Sequence, residues 1–230
     1  MTLAKLKERR ERIKKLDAEL KLLYPDARIE LKFKGPWQLL VAVQLSAQCT
    51  DRMVNKITEK LFKRYKTLDE YVEAGKTPEG VAEFAQMVRA SGYFNAKTKN
   101  ILAAAVMIAK SPSDGGCGGE VPKTMEELLK LPGVARKTAN VVLSTAFKVI
   151  AGITVDTHVI RFVRRYNLSD YKDPIHIERD LMELLPKEEW SKFTHRVIHY
   201  GRYLAPAHKY DTSKDPLIKI YPPAARKFRV

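Results

Sequence analysis

The residues best suited to chemistry lie in one short stretch, Leu131-Pro132-Gly133-Val134-Ala135-Arg136-Lys137-Thr138-Ala139. Thr124-Met125-Glu126-Glu127 reads as a capping box after Pro122, so a helix starts there. Pro132-Gly133 stops it in a tight turn. A second helix is predicted from about Ala135 through Phe147, with Ala139, Val142, Leu143 and Ala146 facing inward. Residues 124–147 therefore read as a helix–hairpin–helix. A glycine turn lets the backbone approach a ligand closely, and the first amides of the second helix point outward with the positive end of its dipole. That arrangement suits a phosphate, with Arg136 as a plain phosphate contact, although Pro-Gly hairpins also occur in folds that bind nothing. Further on, Asp156 stands just before the apolar-periodic Val159, Ile160, Phe162 and Val163, the place of a helix N-cap.

These residues need a scaffold, and the chain is long enough to build one. Its 230 residues correspond to one large domain or two small ones, with a core that needs no disulfides. At 45% hydrophobic and 30% charged residues the composition is that of a soluble globular protein. The longest apolar run, Ile101 to Ala109, is far short of the roughly 18 residues of a membrane span. The charged N-terminus is followed by no apolar core or small-residue cleavage site, so the expected location is intracellular: cytoplasmic and nucleoid-associated in a prokaryote. Two cysteines, Cys49 and Cys117, exclude both a disulfide framework and a site of three or four thiolates. A net charge of +15 and a pI near 9.7 point to a polyanionic partner, because Lys and Arg displace counterions from phosphate.

The chain reads as all-α. Leu3, Leu6, Ile13, Leu16, Leu20 and Leu23 mark an amphipathic first helix whose outer face carries Lys5, Lys7, Arg9, Arg10, Arg12, Lys14 and Lys15. Trp37 to Leu45 reads as a buried helix opened by Pro36. Ser46 to Asp51 is a polar break, helical patterns follow, and Ser91-Gly92-Tyr93-Phe94-Asn95 interrupts them before an Ala-rich helix from Lys97 to Lys110. The Gly-rich segment between Lys110 and Val121 reads as a flexible surface loop with Cys117 as an exposed thiol. Beyond Tyr203 the periodicity fades into an irregular basic tail.

The hairpin string, Val155-Asp156-Thr157-His158 downstream, Leu45-Ser46-Ala47-Gln48-Cys49-Thr50-Asp51 upstream and His199-Tyr200-Gly201-Arg202-Tyr203 near the end occur in a fixed order. In that order they resemble the endonuclease III-like branch of the helix–hairpin–helix (HhH-GPD) DNA glycosylase superfamily, over roughly Trp37 to Tyr203. The resemblance implies that Lys137 is a nucleophile attacking C1′ of a damaged nucleoside to form a Schiff base, which only an amine can do. Asp156 would stabilise positive charge on the sugar and help in proton transfer. A lysine at its reference pKa is neutral only about 0.04% of the time at pH 7. The site must therefore lower that pKa or offer a proton acceptor, and partial burial beside the helix N-terminus is one source.

The flipped-out base leaves a gap in the stack. By resemblance Gln48 fills it from one side and Tyr93 wedges from the other, while Asp51, Lys97, His158 and Arg161 line the pocket or hold the DNA backbone. Gly133, Val134, Ala135, Arg136 and Thr138 would grip phosphate, and the carbonyls of Leu129, Leu131 and Val134 would hold a monovalent cation. The implied architecture is two helical domains, 35–149 and 1–34 plus 150–230, with a catalytic cleft between them. The implied activity is removal of oxidised pyrimidines from duplex DNA followed by AP-lyase strand cleavage, by a monomer. Alternatives are a mismatch uracil or thymine glycosylase, a lyase acting only on abasic sites, or a non-catalytic DNA-binding module.

Two departures from the family pattern stand out. Its members commonly carry an iron–sulfur cluster on four cysteines after the Gly-Arg-Tyr motif, where this chain has Leu204-Ala205-Pro206-Ala207-His208. The cluster is expected to be absent, with no cofactor required and the tail held by packing of Leu204, Tyr210, Leu217, Ile218, Ile220 and Tyr221. Ala135 also replaces a second hairpin glycine, keeping the amide but adding a methyl group.

Overall fold

The computed structural model describes residues 2–208 and 210–225, and helices are the only regular secondary structure among them. In chain order the α-helices are α1 (Leu3–Leu23), α2 (Pro36–Leu45), α3 (Asp51–Arg64), α4 (Leu68–Ala74), α5 (Pro78–Val88) and α6 (Phe94–Ala109). They continue with α7 (Met125–Leu128), α8 (Arg136–Val142), α9 (Thr157–Arg165), α10 (Pro174–Leu184) and α11 (Trp190–His199). Two compact units result. One is Glu30–Ala151, the hairpin unit; the other combines the chain before Glu30 with the chain from Gly152 onward, the tail unit.

The junctions thus differ by a few residues from 34/35 and 149/150. The Asn55 side chain holds the segment ahead of α2 by accepting the Lys32 amide and donating to the Glu30 carbonyl, each at 2.9 Å. At the other end the Val149 amide is bonded to the Leu143 carbonyl at 3.0 Å, which keeps it with the hairpin unit.

In the hairpin unit α2 is apolar around most of its circumference, Gln38 and Gln44 apart, and is buried from Leu39 through Leu45. A helix of that composition is stable only when other elements surround it. Here α3, α6 and α8 pack on it. Thr50, Thr67 and Thr77 each cap the helix that follows by accepting an amide three residues on. Trp37, Tyr65, Tyr71 and Phe84 form an aromatic cluster with ring centroids 5.1–5.8 Å apart. The Gly-rich loop is tied down, since the Gly118 and Gly119 amides donate to the Lys110 and Ile108 carbonyls at 2.8 Å. Cys117 is half-buried there rather than exposed, and burial pushes its thiol pKa up.

The tail unit has its own core of Ile13, Leu16 and Leu20 from α1, with Val159, Phe162, Val163, Leu181, Phe193 and Val197 from α9, α10 and α11. The basic face of α1 is not wholly solvated. Arg9 is 2% exposed and Arg12 is 8% exposed. Arg9 donates to the Asn167 carbonyl at 3.0 Å and to Asp170 at 2.7 Å, and Arg12 to the same carbonyl at 2.9 Å. Both guanidinium groups thereby satisfy carbonyls left open at the end of α9. After α11 the chain widens into a π turn over Tyr200–Leu204 and then runs through short 3-10 segments, with Leu217 and Ala224 buried and Leu204, Tyr210, Ile218, Ile220 and Tyr221 packed against the core.

Candidate active site and nucleic-acid interface

The hairpin is built by local bonds. The Thr124 hydroxyl accepts the Glu127 amide at 3.3 Å. Glu127 turns its carboxylate onto that hydroxyl at 2.8 Å, so of the expected capping box only the Thr124 half forms. After the single turn of α7, the Leu131 amide donates to the Leu128 carbonyl and the Val134 amide to the Leu131 carbonyl, both at 3.1 Å. Gly133 has φ +74°, and a Cβ there would lie 2.8 Å from the Asn100 Cβ. Both the left-handed backbone and the close approach of α6 require glycine.

One expectation changes here. The Val134 side chain is buried and its amide is consumed inside the turn, so it has no spare donor for phosphate. The Leu131 carbonyl, expected on a cation, accepts that same bond with one of its two lone pairs. Gly133, Ala135 and Arg136 are exposed, and Thr138 is half-buried. Ala135 is extended and caps α8 with no side chain, which leaves the first amides of α8 without intrahelical partners. Lys137 lies in this first turn and is exposed, so the partial burial expected to activate it is not present. The predicted helix through Phe147 is α-helical to Val142 and then widens into a π turn over Leu143–Phe147.

Gln48 and Tyr93 share an uncommon backbone. Their φ angles are +53° and +48°, left-handed for residues that are not glycine. Both are exposed, Tyr93 by 69%. Such strain concentrates where a side chain must be presented to a ligand. Asp51 opens α3 and is half-buried. Lys97 differs from its expected place at a DNA-facing surface. It is 7% exposed, and its ammonium donates to the carbonyls of Leu45 and Ala47 at 2.8 Å and of Ser91 at 2.7 Å. Burial pushes its pKa down, with Cys49 opposing.

In the tail unit Asp156 is the N-cap of α9, its Oδ1 accepting the Val159 amide at 2.9 Å. The cap fixes a half-buried carboxylate in one orientation. Arg161 and His158 do not reach outward as expected. The Arg161 guanidinium lies 3.1 Å from His158 Nδ1 and donates to the Gly201 carbonyl at 2.9 Å and the Ala205 carbonyl at 3.3 Å. Burial lowers the Arg161 pKa, and Arg165 adds to the effect. A Cβ on Gly201 would fall 2.4 Å from His158 Nδ1, so the glycine of Gly201-Arg202-Tyr203 admits these two side chains.

Sequence reasoning missed His195 on α11. Burial pushes its pKa down to about 4, His199 and Arg202 add to the shift, and Asp156 opposes it. A histidine between the inward Phe193 and Val197 carries no separate sequence signal.

No group of three or more His, Cys, Asp or Glu among the described residues could hold a metal ion. Both cysteines belong to the hairpin unit and the tail unit has none, so these residues do not fit a four-thiolate cluster after Tyr203. That segment is organised by Asp215 instead. It is 3% exposed, and its Oδ2 accepts the hydroxyls of Tyr200 and Tyr210 closely and that of Tyr166 at 3.2 Å. Its Oδ1 accepts the Leu217 amide at 2.9 Å. Burial and the carboxylate raise the pKa of Tyr210 to about 12 and push those of Tyr166 and Tyr200 up as well.

Comparison with known proteins gives these features a context. No helix among the described residues is long and apolar enough to cross a membrane. The chain is 45% identical over 207 residues to an endonuclease III of Synechocystis, covering 90% of each. It is 42% identical over 199 residues to the Bacillus subtilis enzyme of that name, covering 86% of each. Among solved structures it is similar to a non-covalent endonuclease III–DNA complex, with TM-score 0.85, 40% identity, and 94% and 96% of the two chains covered. It is also similar to a trapped endonuclease III–DNA covalent intermediate, with TM-score 0.86, 39% identity, and 96% and 99% covered. Residues 41–187 match the model of the HhH-GPD superfamily of base excision DNA repair proteins, and the chain belongs to that family.

Proposed function

We propose that this chain is a bifunctional DNA glycosylase and AP lyase of base-excision repair, acting on oxidised pyrimidines in duplex DNA. The observation that carries this reading is Lys137, exposed in the first turn of α8 directly after the hairpin. It occurs in a chain 39% identical, over 96% of its length, to an endonuclease III trapped as a covalent DNA intermediate.

The chemistry follows from an amine. Lys137 Nζ, as the free base, forms a bond to C1′ while the bond from C1′ to the damaged base breaks and the base leaves with a proton. The attacking nitrogen gives up one proton, which leaves with the base, and as the C1′–O4′ bond breaks O4′ takes up a proton from a general acid, giving the ring-opened protonated Schiff base. That cation makes the C2′ proton acidic. Its removal expels the 3′ phosphate, which is the β-elimination that cuts the strand, and water then releases the enzyme. Asp156 takes part in proton transfer and stabilises positive charge on the sugar. Gln48 and Tyr93 occupy the space left by the flipped nucleotide. The exposed backbone at Gly133, Ala135 and Arg136 grips phosphate. No step asks for a dissociable cofactor.

Borohydride trapping on a duplex with one abasic site tests this reading. A covalent adduct with the native protein and none with Lys137→Ala is the expected result. An adduct with both would move the nucleophile to another amine. Tight duplex binding with no adduct in either would leave a monofunctional glycosylase or a binding module.

A further inference from the structure

A lysine ammonium has three donors, and all three of those on Lys97 are directed at main-chain carbonyls. Those carbonyls belong to two separate chain reversals. Leu45 ends α2, and Ala47 immediately precedes Gln48. Ser91 ends the 3-10 turn that leads through Gly92 to Tyr93. Lys97 itself lies in the first turn of α6, just past Tyr93. One buried cation therefore stands behind both exposed left-handed residues, in the position a bound metal ion would take among carbonyl ligands. Left-handed backbone at a non-glycine residue persists only where the surroundings over-determine it. The three bonds from Lys97 supply that constraint at both places at once.

We propose that Lys97 is a positioning residue, whose ammonium cross-links the loops carrying Gln48 and Tyr93 and fixes their spacing so that the two side chains enter the DNA stack together. The proposal rests on the glycosylase/lyase reading above. It differs from a purely structural role in one respect. A clamp on the stack-entering loops matters when a nucleotide must be extruded from a duplex, and not when the abasic site is already single-stranded.

The experiment is borohydride trapping with the full-length protein on two DNAs, an abasic duplex and the same abasic strand alone, comparing the native chain with Lys97→Met and Lys97→Arg. Lys97→Met is expected to lower the rate of adduct formation on the duplex about 100-fold, the scale of an ångström misplacement, and to leave the single strand within about threefold of native. Lys97→Arg keeps the charge with a different reach and is expected to show the same duplex-selective loss, about tenfold.

Equal losses on both DNAs, or no loss on the duplex, would overturn the proposal. Circular dichroism decides which variant to read: if Lys97→Met does not fold, Lys97→Arg carries the test. Failure of both to fold would assign Lys97 to stability alone and also overturn it. A native protein that traps neither DNA would instead remove the function on which the proposal stands, so the two failures are distinguishable.

Discussion

Each unit contains a buried charge at the centre of a hub, and the two hubs differ in what they hold. Lys97 in the hairpin unit gathers three main-chain carbonyls, while Asp215 in the tail unit gathers three tyrosine hydroxyls and one amide. A cation bonded to carbonyls fixes the path of the chain itself, and so dictates φ and ψ at neighbouring residues. An anion bonded to phenols fixes side chains from distant segments, here the ends of α9 and α11 and the tail. The first device shapes two exposed loops; the second fastens a C-terminal segment that has no thiolates to fasten it. A buried charge is tolerated in both because its hydrogen-bonding capacity is used.

The comparison can be broken or sharpened by measurement. The largest stability effect is expected from Asp215→Ala. Losing several charge-assisted bonds and leaving buried hydroxyls short of partners should cost about 4 kcal/mol in urea unfolding, with trapping per folded molecule unchanged. An unchanged urea midpoint would remove Asp215 as a fastening point, and a loss of trapping at full stability would erase the division of labour between the hubs.

His195 sharpens the contrast: it is half-buried, and its surroundings disfavour its charged form. Its pKa is pushed from 6.5 in the unfolded chain to about 4 in the fold, so the unfolded state binds more protons between those values. The stability that neutral His195 contributes is complete above pH 6.5 and is lost as pH falls through 4. The loss amounts to roughly 3 kcal/mol. Urea unfolding at pH 7 and pH 4 should show the native protein losing that much more than His195→Gln. Equal losses would mean that the histidine does not titrate as its burial requires.

The smallest effect is expected from Tyr166→Phe. It removes one hydroxyl of three from Asp215 and should cost about 1 kcal/mol, with Tyr200 and Tyr210 still in place. A loss as large as that of Asp215→Ala would make the hub a single cooperative unit rather than a sum of bonds.

Much of the site was legible in the residues. The Pro132-Gly133 turn, the Thr124 cap and the Asp156 cap each rest on a contact within three residues, and local contacts leave a signature in spacing. Lys137 was legible as the lysine in the first turn after the hairpin, through the resemblance of the whole string, but its exposure was not. The direction of Lys97 was not, since two of its partners lie 50 and 52 residues away and are backbone atoms that every residue carries. Arg161 misled for the same reason, its acceptors being the carbonyls of Gly201 and Ala205.

The sequence by itself determined the all-helical class, the hairpin with its uncapped helix start, the amine and carboxylate available for chemistry, and the lack of thiolates for a cluster. Each of these depends on residue types counted or spaced along the chain. Tertiary structure decided which of the many cations face solvent. It turned Arg9, Arg12, Lys97 and Arg161 inward onto carbonyls, and left Arg136 and Lys137 outside. The physical reason is that a buried carbonyl needs a donor wherever the fold brings one, and only the folded chain specifies which donor is near.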